Sequence, residues 1–182
     1  MIIGNFENCR TLAEFYQQAS NFYAERYGIS HLDYYKTIES LAKQIESYKE
    51  LGSMQGVSAA AAIIGNPNLK FIEMIDITFK HLKKHKNLFL EFDGRLVFTQ
   101  SDSTKCKINK VDMTFIDSLH KYKHLKKELQ LHAPETKKFL MFHDTNLSGI
   151  KKAITELVNT SNWNYKIVNE NDCGFIVLER KI

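Results

Sequence analysis

An α/β fold, wound on both faces of a largely parallel sheet, is what the 182-residue sequence predicts. Three observations predict it. From Ser47 onward, short apolar runs alternate with longer amphipathic stretches. Most of the runs are continuously apolar rather than alternating, the mark of strands buried on both faces. The last two runs are separated only by Asn169–Gly174 (NENDCG), too short for a helix, so they pair as an antiparallel hairpin at the end of the sheet.

Composition agrees. A hydrophobic share of 43% and a charged share of 25% are those of a globular chain and exclude disorder and a collagen-like fibre. No stretch approaches the roughly 20 apolar residues of a membrane span. Met1–Arg10 carries Glu7 and no apolar core, so no signal peptide is expected. Cys9, Cys106 and Cys173 are scattered, without metal-pair spacing or a disulfide framework, which suits a reducing cytoplasm. The net charge is +4, and the excess is local to Lys80–Lys86 (KHLKKHK) and Lys121–Lys127 (KYKHLKK). Exposed helix faces explain both runs, and nucleic acid is not the expected partner.

The elements follow in order. Leu12, Phe15, Tyr16, Ala19, Phe22 and Tyr23 recur at helical spacing, and Gly28 follows as a stop. A second helix is expected over Asp33–Ile45. These two form a helical cap over residues 1–46, and residues 47–182 form the core of a single domain. The aromatic stripe is either plain core packing or a homodimer face. Strands are expected at Tyr48–Leu51, Phe71–Ile77, Leu96–Thr99, Val111–Ile116, Phe139–Phe142, Tyr165–Val168 and Phe175–Leu178. Helices are expected at Val57–Ile64, Phe79–Leu90, Tyr122–Ala133 and Leu147–Val158.

Ligands of open α/β sheets bind beyond the carboxyl ends of the strands, so the residues there carry the chemistry. After the first strand comes ELGSMQGVS, Glu50–Ser58. Gly52 permits a tight turn, Gly56 permits close backbone approach at a helix start, and Ser53 and Ser58 offer hydroxyls. The spacing is not the dinucleotide fingerprint G-x-G-x-x-G. Asp76 ends the second strand, placed to hold a ribose diol or to cap the next helix. Asp102-Ser103 follows the third strand, suited to an adenine edge or again to capping. Asp117 and His120 follow the fourth, three residues apart, a carboxylate for a hard cation and a general base. His143-Asp144 follows the fifth; Asp144 and Asp117 together suit Mg²⁺ or a similar cation, with His143 as a third ligand of softer preference.

Three of these segments resemble the class I S-adenosylmethionine-dependent methyltransferases, in the branch that includes cephalosporin-hydroxylase-like, macrocin-type and rhamnosyl O-methyltransferases. Glu50–Ser58 is similar to that branch's E-x-G-x-x-x-G-x-S motif. Phe115–Tyr122 (FIDSLHKY) resembles F-I-D-G-x-H-x-Y, with Ser118 in place of the common glycine. Phe142–Thr145 (FHDT) resembles its H-D-T, with His143 where some relatives carry a second acid. The closing Asn171–Arg180 resembles the family's terminal hairpin. The resemblance implies a three-layer, Rossmann-like, seven-stranded sheet in the order 3-2-1-4-5-7-6, with strand 7 antiparallel.

It also implies that Glu50, Gly52 and Ser58 lie at the methionine end of S-adenosylmethionine, and Ser53, Gly56 and Asp117 are expected among the residues that bind the same cofactor. Asp76 would hold the ribose, and Asp102 with Ser103 the adenine. Asp117, Asp144 and His143 would bind Mg²⁺, and His120 would take the acceptor's proton. The expected reaction is cation-assisted O-methylation of a sugar or small-molecule hydroxyl. The rival expectation is a non-catalytic S-adenosylmethionine-binding or interaction protein with a degenerate metal site. The missing G-x-G-x-x-G argues against a third reading, a nicotinamide dehydrogenase.

Overall fold

The computed structural model describes residues 3–6 and 8–181. The Met1–Arg10 stretch read above for a leader therefore falls partly outside the described residues, at Met1, Ile2 and Glu7.

Two helices open the chain, α1 (Leu12–Tyr27) and α2 (Ser30–Ala42). Thr11 caps α1, its side chain accepting the Glu14 N–H at 3.1 Å, and Gly28 ends it at φ +105°. The aromatic stripe is core: Phe15, Tyr16, Ala19 and Tyr23 are buried. The second helix begins and ends three residues earlier than its periodicity suggests, because Leu41 and Ala42 already complete its buried face.

The strands are β1 (Ser47–Leu51), β2 (Phe71–Asp76), β3 (Arg95–Gln100), β4 (Val111–Ile116), β5 (Thr136–His143), β6 (Trp163–Asn169) and β7 (Phe175–Arg180). The order is β3-β2-β1-β4-β5-β7-β6. The pairs from β3 to β5 are parallel, and β7 runs antiparallel to both β5 and β6. This is the sheet that the resemblance implies. The connecting helices are α3 (Val57–Gly65), α4 (Tyr122–His132) and α5 (Ser148–Thr160). Two apolar cores cover the faces. One joins α1, α2 and α3 to Tyr48, Met74 and Phe115; the other joins α4 and α5 to Leu51, Ile116 and Phe142.

Two expectations need correction. The segment 79–90 is not an α-helix but two 3₁₀ stretches, Leu82–Lys84 and Lys86–Glu91. Lys80, Lys83, Lys84 and Lys86 would stand as like charges three and four apart on a regular helix. The segment instead bends to bury Leu82, His85 and Phe89 beneath α1. The basic run there is thus not a uniform exposed face. Strands β1, β3, β5 and β6 also start one to three residues earlier than their apolar runs, because pairing with the neighbouring strand extends over polar residues such as the exposed Lys137 and Lys138. The second strand ends at Asp76, not Ile77, which leaves the sheet and is exposed. Among the described residues no helix is long and apolar enough to cross a membrane.

Candidate functional site

The topology reverses between β1 and β4, and a cavity of about 530 Å³ opens at the carboxyl ends of the strands around that reversal. Its position is the one that the open-sheet rule predicts.

The floor is the turn after β1. The Gly52 N–H donates to the Ile75 carbonyl at 2.8 Å, and the Asp117 N–H donates to the Leu51 carbonyl at 2.9 Å, locking the turn between β2 and β4. Gly52 has φ +87°, and a Cβ there would lie 2.3 Å from the Asp117 carbonyl oxygen. Only glycine allows the two strand ends to approach so closely. Asp76 braces the same turn, one oxygen accepting the Met54 N–H at 2.9 Å and the other the Thr78 N–H at 3.0 Å. It lines the cavity, and no α-helix follows for it to cap.

Gly52, Ser53, Ser58, Asp76, Asp102, Ser103, Asp117, His120 and His143 face the cavity; Glu50, Gly56 and Asp144 are not among its lining. Gly56 sits at φ +83° against the side chains of Met74, Phe89 and Leu82, so its freedom serves packing at the start of α3. Glu50 is wholly buried; one oxygen accepts from Ser58 at 2.6 Å and from Tyr48 at 3.2 Å, and the other has no partner. Burial pushes its carboxyl up to about 7, against the pull of the Ser58 and Tyr48 hydroxyls. Asp102 folds back on its own turn, accepting from the Thr104 N–H and hydroxyl at 2.9 and 2.7 Å, which hold its carboxyl down at about 2.

The polar cluster lies where the ends of β4 and β5 meet. His120 bridges two carboxylates: Nε2 stands 3.1 Å from Asp117 Oδ1, and Nδ1 stands 3.0 Å from Asp144 Oδ2. His143 Nδ1 stands 3.4 and 3.5 Å from the same two oxygens without hydrogen-bond geometry, and is otherwise without a partner in a 95%-buried side chain, 5% exposed. Burial opposes the His143 cation, but Asp117 and Asp144 overcome it and raise the ring to about 10. Burial likewise opposes the Asp117 anion, and His143 and His120 overcome it, holding the carboxyl at about 2. Asp144 is also held below its ordinary range, and the Asp117 contact raises His120. Asp144 occupies the left-handed region at φ +53°, a conformation that costs a non-glycine residue about 1 kcal/mol and turns its carboxylate back toward β4.

The donors fit a divalent cation. Asp117, His120 and Asp144 each offer a ligand atom within 4.8 Å of the others, and the poorly paired His143 nitrogen points to the same oxygens. Two carboxylates suit Mg²⁺, while the imidazoles shift the preference toward a first-row transition ion such as Mn²⁺. Cys173 forms a second such group with His143 and Asp144, brought there by the β6–β7 turn. Spacing along the chain offered no sign of it.

The upper wall comes from the N-terminal helices, whose aromatic residues the sequence suggested only as core packing or a homodimer face. Tyr23, His31, Tyr34 and Tyr35 all line the cavity. Tyr34 packs against His143 at a centroid separation of 4.6 Å, and His31 at 5.2 Å. The adjacent tyrosines of α2 were the available signal, since neighbours on a helix cannot both sit centrally on one buried stripe. For His31 there was none.

No protein-family model matches the chain, and no curated protein sequence matches it. Solved structures do. A Staphylococcus aureus protein described as a caffeoyl-CoA O-methyltransferase superposes with a TM-score of 0.68 at 11% identity, over 93% of this chain and 97% of its own. The O-methyltransferase TomG of Streptomyces achromogenes, in complex with SAM, gives 0.62 at 14%, over 100% and 93%. The SAH-bound methyltransferase PaMTH1 of Podospora anserina gives 0.64 at 11%, over 100% of both chains. At such identities the likeness is one of fold, and the fold is that of the class I methyltransferases.

Proposed function

We propose that this chain is an S-adenosylmethionine-dependent methyltransferase that methylates a hydroxyl of a small molecule or sugar with the help of a divalent cation, in the cytoplasm. One observation carries the reading: Asp117, His120 and His143 share one cavity of cofactor size with the Gly52 turn, and Asp144 joins them 3.0 Å from His120, outside the cavity lining. The fold shared with SAM- and SAH-bound methyltransferases supports the choice of cofactor.

Ser53, Ser58 and the bare backbone of Gly52 receive the methionine end, with Glu50 anchoring Ser58 from behind. Asp76 receives the ribose, and the Ser103 end of the cavity the base. Asp117, Asp144 and His143 hold the cation, which when bound lowers the pKa of an acceptor hydroxyl. His120 then takes the hydroxyl proton. Both its ring nitrogens rest on carboxylates in the free protein, the pairing of an imidazolium, so the ring must give up one proton to solvent and be released by that carboxylate before a lone pair is available. The tyrosine wall of α1 and α2 excludes water and orients the acceptor, so that much of the rate gain is positional.

A second reading, a binding protein without catalysis, draws on the same His120 bridge, since both carboxylates already have imidazole partners. Calorimetric titration with S-adenosylmethionine, with and without Mg²⁺ or Mn²⁺, and a turnover assay over sugars, phenols and small alcohols separate the two. The proposal expects cation-dependent turnover, with Asp117→Ala lowering it about 100-fold or more. Full turnover by Asp117→Ala on a true substrate sinks the cation-and-base model. Cofactor binding without any cation effect or turnover favours the second reading.

A further inference from the structure

We infer that Glu128, on α4, fixes the hydrogen-bonding polarity of the base end of the cavity, making it accept a 6-amino purine and reject a 6-oxo purine. The inference rests on the cofactor reading above.

Glu128 is fully buried on a helix whose neighbouring inward residues are Leu125 and Leu129. A carboxylate there requires compensation. Its Oε1 takes the Ser103 hydroxyl proton at 2.5 Å and the Ser118 hydroxyl proton at 2.6 Å, and lies 3.2 Å from His124 Nε2. Ser103 belongs to the loop after β3 and Ser118 to the loop after β4, so one buried atom ties together the two loops that border this end. Ser103, Ser118 and His124 face the cavity; Glu128 does not.

A hydroxyl has one proton to give and two lone pairs. With both protons committed to Glu128, Ser103 and Ser118 can show the cavity only lone pairs. His124 lies 3.3 Å from Ser103 as well, and a proton from its ring strengthens that arrangement without freeing the serine's own. The exocyclic amine of adenine carries two N–H donors, which such a pair of acceptors satisfies. The carbonyl of a 6-oxo purine would meet acceptor with acceptor and bury an unpaired group. Glycine, common at the position of Ser118 in the motif that Phe115–Tyr122 resembles, could not contribute to this pair. Glu128 is accordingly a positioning residue that acts through the two hydroxyls.

The test measures Kd values of S-adenosylhomocysteine and S-inosylhomocysteine by calorimetry for the wild-type chain and Glu128→Met, with thermal melts to confirm folding. The wild type should prefer the adenosyl compound by about 30-fold. In Glu128→Met no acceptor remains behind the two serines, so both hydroxyls can turn their protons to the cavity and the preference should fall within about 3-fold. If that variant does not fold, Ser103→Ala combined with Ser118→Ala should lose the preference in the same way. A merely structural role would weaken both ligands equally and keep the ratio. A wild-type ratio near one, or an unchanged ratio in folded Glu128→Met or in the serine double variant, overturns the inference while adenosyl binding stands. Wild-type binding of neither compound overturns the cofactor reading and this inference with it.

Discussion

Glu50 and His132 are both buried titratable side chains, and they bend the stability of the protein in opposite directions with pH. Glu50 sits higher in the folded chain, at about 7, than the 4.5 of a free side chain. Its contribution is therefore complete below about pH 4.5 and is lost as pH rises through 7. Glu50→Gln should remove that loss. Between pH 5.5 and 8 the wild type should lose about 2 kcal/mol relative to the variant in urea titrations. His132 has no exposed surface and donates from Nε2 to the Ser103 carbonyl at 2.8 Å; burial, then Lys49, lower it to about 4. Its contribution is present above about pH 6.5 and lost as pH falls toward 4, so His132→Gln should flatten the acid limb of the same titration. At this scale the sequence was informative where a polar residue follows an apolar strand, as at Asp76, Asp117 and Asp144. It was silent on Glu128 and His132, which it shows only as residues on a basic amphipathic helix. Their burial depends on the loop after β3, which is distant in sequence.

Elements were legible where period and stop signals agree. The α1 helix has Thr11 at its start, Gly28 at its end and an apolar stripe between them. The connection from β2 to β3 was misread because Leu82, His85 and Phe89 recur at three and four residues, a helical spacing that 3₁₀ turns can also serve. What holds this connection is aromatic packing onto α1. His85 stacks on Phe15 at 4.8 Å, and Phe89 meets the same ring edge-on at 6.3 Å. Phe15→Ala should open a cavity between α1 and the 3₁₀ turns and destabilise the protein by about 3–4 kcal/mol, measured by urea denaturation. The α2 helix has a second duty, because Tyr34 and Tyr35 face the cavity. Tyr34→Ala should therefore weaken acceptor binding, read as a higher KM, more than it weakens cofactor binding.

The described residues form a single sheet with helices on its faces and its chemistry gathered at the carboxyl ends of the strands, and the cofactor reading has a consequence at that scale. A ligand that binds only the folded chain stabilises it by mass action. S-adenosylhomocysteine at about 100 times its Kd should add about 2.7 kcal/mol, seen as a rise in Tm that grows with concentration. Gly52→Ala, which puts a Cβ against the Asp117 carbonyl at an unfavourable φ, should abolish that rise as well as lower the starting Tm. No change in Tm at saturating ligand would contradict the cofactor reading for the chain as a whole.

By itself the sequence determined the α/β class, the seven strands, the closing hairpin and the acids at the strand ends. These rest on local patterns, apolar runs and turn residues, which act over a few residues and so can be read in order along the chain. Only the tertiary structure decided what those groups touch. It put His120 between Asp117 and Asp144, set Tyr34 of α2 against His143, brought Cys173 beside His143 and Asp144, and drew the protons of two serines onto Glu128. These contacts join segments far apart in sequence, and their strength depends on burial, which no local pattern records.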